Sequence, residues 1–268
     1  MTADSVSFDT LLRQERQQWR KTSLLTAVVV VVVLLSAAET GLLDLKRLGE
    51  GLPAIGILVG EMFPPDFSAA RTWIKPIFDT LAMSIAGTAL AVLLSLPLAF
   101  LAARNTTPNA AIYHAARVVL NFLRSIPELI MGIIFVAAVG FGTLPGVLAL
   151  GLHSAGMVAK FFAEAIEHVD HKPIEAAEAA GASRLQVIQY AILPQVLPQF
   201  SDVTVYRWEY NFRASTVMGM VGAGGIGLEL MSSLRILHYT EVSAILIAIL
   251  IMVTMVDAIG AAVRKGMK

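Results

Sequence analysis

An all-α membrane protein of about six transmembrane helices is the fold that this sequence predicts. Three observations carry it. Hydrophobic residues fill 56% of the 268 positions and charged residues only 15%, with a mean hydropathy of +0.72. A soluble domain of this size has too little interior to hide so much apolar surface. The apolar residues fall in separate stretches of about 20, the length that crosses a hydrocarbon core about 30 Å thick. Lys and Arg gather beside alternate ends of those stretches, the bias that sets orientation.

Composition also excludes several classes. Lys plus Arg and Asp plus Glu each number 20, giving no net charge, so a nucleic-acid partner has no electrostatic support. The chain has no Cys, which removes disulfides, thiolate metal sites and Cys nucleophiles. His114, His153, His168, His171 and His238 are scattered without a metal-ligand spacing, and no metal site is expected. Neither a Ser/His/Asp arrangement nor a P-loop is present, so the chain is read as no enzyme and as unable to hydrolyse ATP itself.

Residues 1–23 are polar, and Arg13, Arg16, Arg20 and Lys21 precede the first span, Leu24–Leu43. This basic flank puts the N-terminus in the cytoplasm. The run is long and lacks a small-residue cleavage site, so it reads as a retained membrane helix, not a signal peptide. The remainder of segment 24–75 is mixed, and Gly49, Gly51, Pro53, Gly56 and Gly60 interrupt its apolar residues. An interfacial or extracytoplasmic helix fits it better than a short span, with a turn at Pro64, Pro65 and Asp66.

Residues 76–263 hold the remaining spans. The second, Pro76–Ala103, ends at Arg104 and the polar loop Asn105–Asn109. The amphipathic stretch Ile112–Leu123 continues into the third span, which Pro127 should kink. That span ends near Gly140, before an outer turn at Phe141–Gly146. The fourth, Pro145–Ile166, returns to the cytoplasm. There Glu175–Pro198 reads as two short helices around a bend at Gly181: Ala and Glu favour the first, Pro173 suits its opening turn, and the second, Arg184–Ile192, stops at Pro194. The fifth span is about Phe200–Val221, and the sixth, Val242–Val263, runs into the basic tail 264–268.

Arg104, Arg117, Arg124, Lys172, Arg184, Arg264, Lys265 and Lys268 join the N-terminal cluster on the proposed inner side, against Lys46, Arg47, Arg71, Lys75 and Arg235 outside. Both termini are therefore placed in the cytoplasm. No internal repeat is visible, which disfavours an inverted-repeat secondary transporter.

Chemistry concentrates in the fifth span. Arg207, Glu209 and Arg213 lie in or beside it, where a charge at mid-bilayer costs about 2.5–3.5 kcal/mol on the lenient scale. Arg207, Asn211 and Ser215 recur every fourth residue on one face, with Tyr210 near it. In a structural reading, Glu209 pairs with Arg213 one turn away, and Arg207 snorkels to the cytoplasmic interface. In a functional reading, Arg207 or Arg213 helps an anion pass, because a guanidinium donates several hydrogen bonds from a planar fork. Arg207, Tyr210, Asn211, Arg213 and Ser215 are then candidate pathway residues. The stretch GAGGIG, Gly222–Gly227, has the letters of a dinucleotide fingerprint but follows a membrane helix where a strand is needed. It reads instead as a turn at the outer mouth, with Gly222, Gly224, Gly225 and Gly227 where the backbone must bend or approach closely. Lys160 and Glu164 are spaced to pair. His153 and Ser154 read as packing or solvated groups, and Asp79 and Asp257 as caps or anchors.

The cytoplasmic segment carries a more specific signal. Glu175, Ala176 and Ala177, then Gly181, then Leu193 and Pro194 are spaced as in the EAA loop of ABC importer permeases. Ala191 departs from the Ile or Val usual there, which should weaken packing of the second helix. Together with LRSIPELI (Leu123–Ile130), YRWEYNFRAST (Tyr206–Thr216) and VGAGGIG (Val221–Gly227), the chain resembles the permease subunit of phosphonate-type ABC importers over roughly residues 76–263.

That resemblance implies a type I ABC importer permease fold. It implies a coupling loop, within 171–198, in which Glu175, Ala176, Ala177, Glu178, Gly181, Leu193 and Pro194 engage an ATPase subunit. It also implies a second permease copy, two cytoplasmic ATPases carrying ATP and Mg, an extracytoplasmic binding protein, and a phosphonate, phosphite or phosphate-like cargo, in a prokaryotic inner membrane. No cofactor is expected on this chain. The alternatives are a methionine, amino-acid or metal-chelate permease, a membrane sensor or scaffold whose EAA-like helix merely binds a partner, and, remotely, an intramembrane enzyme.

Overall fold

The computed structural model describes residues 8–267, and every regular element among them is helical. Residues 1–7 and Lys268, with part of the polar N-terminal segment and the last basic residue of the tail, lie outside the described residues. The chain forms two units that divide after Glu61. The first holds α1 (Phe8–Glu39) and α2 (Leu45–Glu61). The helix of the first span extends back through Arg16, Arg20 and Lys21, and its row Val28–Leu35 is exposed, as suits a surface whose solvent is lipid. The segment expected to be interfacial is α2, which contains Pro53 and buries no side chain.

The second unit begins at Met62. Its centre is α6 (Thr143–Glu167), packed along α3 (Ile74–Ala102) and flanked by α4 (Ala110–Ser125), α5 (Glu128–Val139) and α9 (Leu193–Met218). Small residues permit that closeness, which in lipid must come from packing rather than from expulsion of water. A Cβ at Gly151 would stand 2.6 Å from Leu90 Cδ2, and one at Gly156 would stand 2.9 Å from Arg124 Cγ. Toward the segment that joins α6 to α9, Phe162 stacks on Phe200 with ring centroids 3.8 Å apart. The unit is completed by α10 (Ile226–Arg235) and α11 (Tyr239–Gly266).

Among the described residues, four helices are long and apolar enough to cross a membrane singly, and counting two bent pairs as spans gives six. Both bends exceed what the sequence led one to expect. Pro127 does not kink one helix. It caps α5, and α4 and α5 meet at 86°, because the residue before a proline is driven out of the helical region and Ile126 is extended. The second pair is α9 and α10, at 44° across the glycine stretch, so a further helix stands where a simple turn to the sixth span was expected.

Pro194 also departs from expectation. The helix does not stop there. After α7 (His171–Ala179) and the single turn α8 (Arg184–Val187), a π turn at Ile188–Ile192 leads directly into α9. A proline ring clashes with the carbonyl four residues earlier in a regular helix, and the wider turn gives it room. Gln195 takes up part of the disturbed ladder, its Nε2 donating to Ala191 O at 2.6 Å.

Candidate functional site

Three regions hold the residues singled out in the sequence. The first lies between α3, α6 and α9. Arg207 is only 5% exposed, so it does not reach an interface as the structural reading of the sequence proposed. Its Nε donates to Ser154 Oγ (2.9 Å), Ser154 Oγ donates to Asn211 Oδ1 (2.7 Å), Asn211 Nδ2 donates to Thr88 Oγ1 (2.9 Å), and Thr88 Oγ1 donates to Ser84 O (2.7 Å). Every donor in this relay points away from the guanidinium, so each bond polarises the next. Ser154 is therefore a buried link, not a solvated group. The Arg207 guanidinium carbon also lies 4.1 Å from the centroid of the Tyr210 ring, close enough for a cation–π contact. The Tyr210 hydroxyl donates to Glu128 on α5 at 3.1 Å, and His153 Nε2 lies 3.7 Å from the same carboxylate.

The other candidates of the fifth span separate from this cluster. Ser215 is buried one turn further along and donates to Phe212 O at 2.7 Å. Arg213 is half exposed and pairs with Asp257 on α11 at 3.0 Å. Glu209 is buried and faces Arg264, whose Nη1 is 2.7 Å from Glu209 Oε1 without hydrogen-bond alignment. The expected Glu209–Arg213 pair is thus replaced by two pairs that reach α11. Tertiary packing turned the two side chains to different sides, whereas the helical spacing only brought them within range. The Lys160–Glu164 pair is present at 3.5 Å.

The second region is the loop from α6 to α9. Asp170 caps α7 by accepting from Lys172 N–H at 3.0 Å. At the other end Gly181 has φ +82°, Ala182 N–H donates to Ala177 O and Gly181 N–H donates to Glu178 O. This is the Schellman arrangement, which needs a left-handed residue at the glycine position. Ser183 and Gln186 then form a capping box for α8. Gln195 grips the start of the loop by exchanging hydrogen bonds with the Asp170 backbone, at 3.0 and 3.3 Å. Glu175, Ala176, Glu178 and Pro194 are exposed, Ala177 and Leu193 are half-buried, and a polar cavity of about 540 Å³ opens beside them, lined in part by Arg104, Glu175, Glu178 and Arg184. Ala191 is buried in the core, so its small side chain packs.

The third region is the glycine stretch. Gly222, Gly224 and Gly225 have φ of +102°, +76° and +75°. A Cβ at Gly225 would touch Thr80 Oγ1, which instead accepts from Ile226 N–H at 2.9 Å, and a Cβ at Gly227 would run into the Thr216 carbonyl oxygen. The stretch folds tightly against α3 and α9, with close approach explaining Gly225 and Gly227.

Two helices meeting at a broken span, a capped loop between α6 and α9 and a glycine-tight turn between α9 and α10 can be set beside known proteins. The family described as binding-protein-dependent transport system inner membrane component matches residues 95–268, more than half of the chain. The chain belongs to this family.

The permease is 70% identical over 228 residues to the phosphite transport system permease protein PtxC of Stutzerimonas stutzeri, covering 85% of this chain and 83% of that protein. It is 43% identical over 217 residues to the phosphate-import permease protein PhnE of Mycolicibacterium smegmatis, covering 81% of this chain and 41% of the relative. Among solved structures, the inward-facing MetNI methionine ABC transporter matches with a TM-score of 0.67 at 22% identity, over 76% of this chain and 99% of that one. At that identity the likeness is one of fold. The permease is accordingly an all-helical membrane subunit with the type I ABC importer architecture. Sequence reasoning did not single out Glu128, Thr88 or Gln195 in it. Glu128 alone had a visible signal, a carboxylate directly before an unbroken apolar run (Leu129–Val139).

Proposed function

We propose that the permease forms the membrane pathway for phosphite or a related phosphorus oxyanion, driven by ATP hydrolysed on separate subunits. One observation carries the anion reading. Arg207 is buried, its Nη2 has no hydrogen-bond partner, and among the described residues no carboxylate lies within 4.0 Å of its guanidinium. A buried charge without a counterion in direct contact is unfavourable, and an arriving anion would satisfy it. The tetrahedral oxyanions named for the relatives suit a guanidinium fork. In this reading Arg207, Tyr210 and Asn211 face the cargo, Ser215 supports the same face, Arg213 stabilises the wall with α11, and Gly222, Gly224, Gly225 and Gly227 shape the outer mouth.

The complete importer pairs this chain with a second copy, two cytoplasmic ATPases that hold ATP and Mg, and an extracytoplasmic binding protein. Both termini face the cytoplasm, and the chain itself binds no cofactor. The surface of α7 with Glu175, Ala176, Ala177 and Glu178 meets the ATPase, while Gly181, Leu193 and Pro194 set its angle to α9. Gly181→Val is expected to reduce ATP-driven uptake about tenfold, because a β-branched residue at positive φ stores about 1–3 kcal/mol of strain. Gly181→Asn, which tolerates that conformation, should keep most of the uptake. Equal uptake by the two variants would remove the bend from the coupling role.

The deciding experiment is ATP hydrolysis by the assembled complex in lipid nanodiscs, with loaded binding protein, across phosphonates, phosphite, phosphate and methionine. Stimulation by a phosphorus oxyanion is expected. Stimulation by methionine alone would refute the anion reading, and no stimulation despite confirmed assembly and loading would favour a sensor or scaffold.

A further inference from the structure

Glu128 is the unexplained charge of the interior. It opens α5 directly after the 86° break, and its carboxylate is turned inward, where Tyr210 donates to both of its oxygens, at 3.2 and 3.1 Å. His153 Nε2 stands 3.7 Å from Oε2, and its ring is held from the other side by Nδ1, which lies 3.1 Å from Ile126 O, the last residue before the break. A backbone carbonyl can only accept, so Nδ1 carries a proton and Nε2 is the nitrogen left to face the carboxylate. Arg207 lies on the face of the same Tyr210 ring. Glu128 therefore sits within one side chain of the guanidinium without touching it, on the Tyr210 hydroxyl that an oxyanion reaching Arg207 would also meet.

A Tyr hydroxyl donating to both carboxylate oxygens, with an Arg on the same ring, is an environment that would also recognise an external oxyanion. Like charges exclude one another at this range, so the Glu128 carboxylate and an anionic cargo cannot share it.

We propose that Glu128 is an internal stand-in for the cargo: its carboxylate occupies the oxyanion position beside Tyr210 and His153, and an anion passes Arg207 only when α5 withdraws it. The inference rests on Arg207 lining the anion pathway. Its function is to keep the pathway shut to free anions while the helices are in this arrangement. The broken span suits that task, because α5 is joined to α4 only through the extended Ile126 and Pro127, so it can shift along its packing against α6 without carrying α4 with it.

The test uses the complete importer in proteoliposomes preloaded with inorganic phosphite, with efflux read in the absence of ATP. Glu128→Gln keeps the shape and an acceptor for Tyr210 but removes the charge. Efflux is expected to rise about tenfold or more, the factor carried by a charge-assisted hydrogen bond. Glu128→Asp keeps the charge on a shorter stem and should raise efflux less than Glu128→Gln. Efflux within twofold of the unaltered importer in a correctly assembled Glu128→Gln complex overturns the proposal. So does a loss of ATP-driven uptake with no rise in efflux, which would mark Glu128 as structural. Arg207→Gln run in parallel separates the two claims. If it loses uptake while Glu128→Gln changes nothing, the pathway reading stands and the stand-in falls. If Arg207→Gln transports normally, the pathway reading itself falls.

Discussion

Replacing Arg207 with Gln is expected to lower ATP-driven phosphite uptake about 100-fold while the importer still assembles. The magnitude corresponds to about 2.7 kcal/mol, the scale of one strong hydrogen bond to a charged group. Assembly should survive because glutamine can keep a donor near Ser154, and the relay beyond it, Ser154 to Asn211 to Thr88, does not contain the arginine. Removing the charge also relieves a buried cation that has no carboxylate in direct contact among the described residues, so thermal stability of the variant should equal or exceed that of the parent. Arg207→Lys should restore little. A lysine retains the charge but lacks both the flat face that lies on Tyr210 and the fixed Nε–H that reaches Ser154. Uptake by Arg207→Lys close to that of the parent would mean that charge alone suffices and that the fork geometry is idle.

The second large effect concerns stability. Arg264→Gln is expected to destabilise the permease by about 3–5 kcal/mol, the cost of leaving one member of a buried ion pair alone. Glu209→Gln should cost only about 1 kcal/mol, as for a pair whose surviving charge can rehydrate. The asymmetry follows from exposure: the side chain of Glu209 is 8% exposed and that of Arg264 is 30%. Gly260 keeps the carboxylate's place open, since a Cβ there would collide with Glu209 Oε1. Adding Glu209→Gln to Arg264→Gln should recover most of the loss, because the stranded charge is then gone. Thermal unfolding of the four proteins in detergent reads all of this, and a larger loss for Glu209→Gln than for Arg264→Gln would contradict the packing.

These two arginines show what a sequence can and cannot carry. That Arg207 belongs to an interior face was legible, because Arg207, Asn211 and Ser215 recur at helical spacing inside an apolar span and all three are buried. The identity of their partners was not. Asn211 meets Thr88 and Ser154, which lie 123 and 57 residues away, and periodicity fixes a relative face without naming what covers it. The same limit misassigned Glu209 and Arg213 to each other: four residues apart is a local rule, and the partners on α11 are set by how two helices cross. The bend at Gly181 was legible because backbone conformation there depends on one residue type. The π turn before Pro194 was not, since it depends on the whole helix continuing through a residue that ordinarily ends one.

That uninterrupted passage past Pro194 has a mechanical meaning. From Arg184 through the π turn to Arg207, the backbone is helical without a break, a shaft about 35 Å long at 1.5 Å per residue. Gln195, about halfway along it, clamps it to the start of the loop, and its far end carries the guanidinium. A tilt of about 5° about the clamp would sweep Arg207 through about 1.6 Å, reckoning an arm of about 18 Å at about 1.5 Å for each of the residues between Gln195 and Arg207. That stroke exceeds the slack in a hydrogen bond. In the proposed coupling role, force delivered to the nine-residue helix α7 would cross one bend, at Gly181, before entering this shaft, and the shaft itself is a stiff lever toward Arg207.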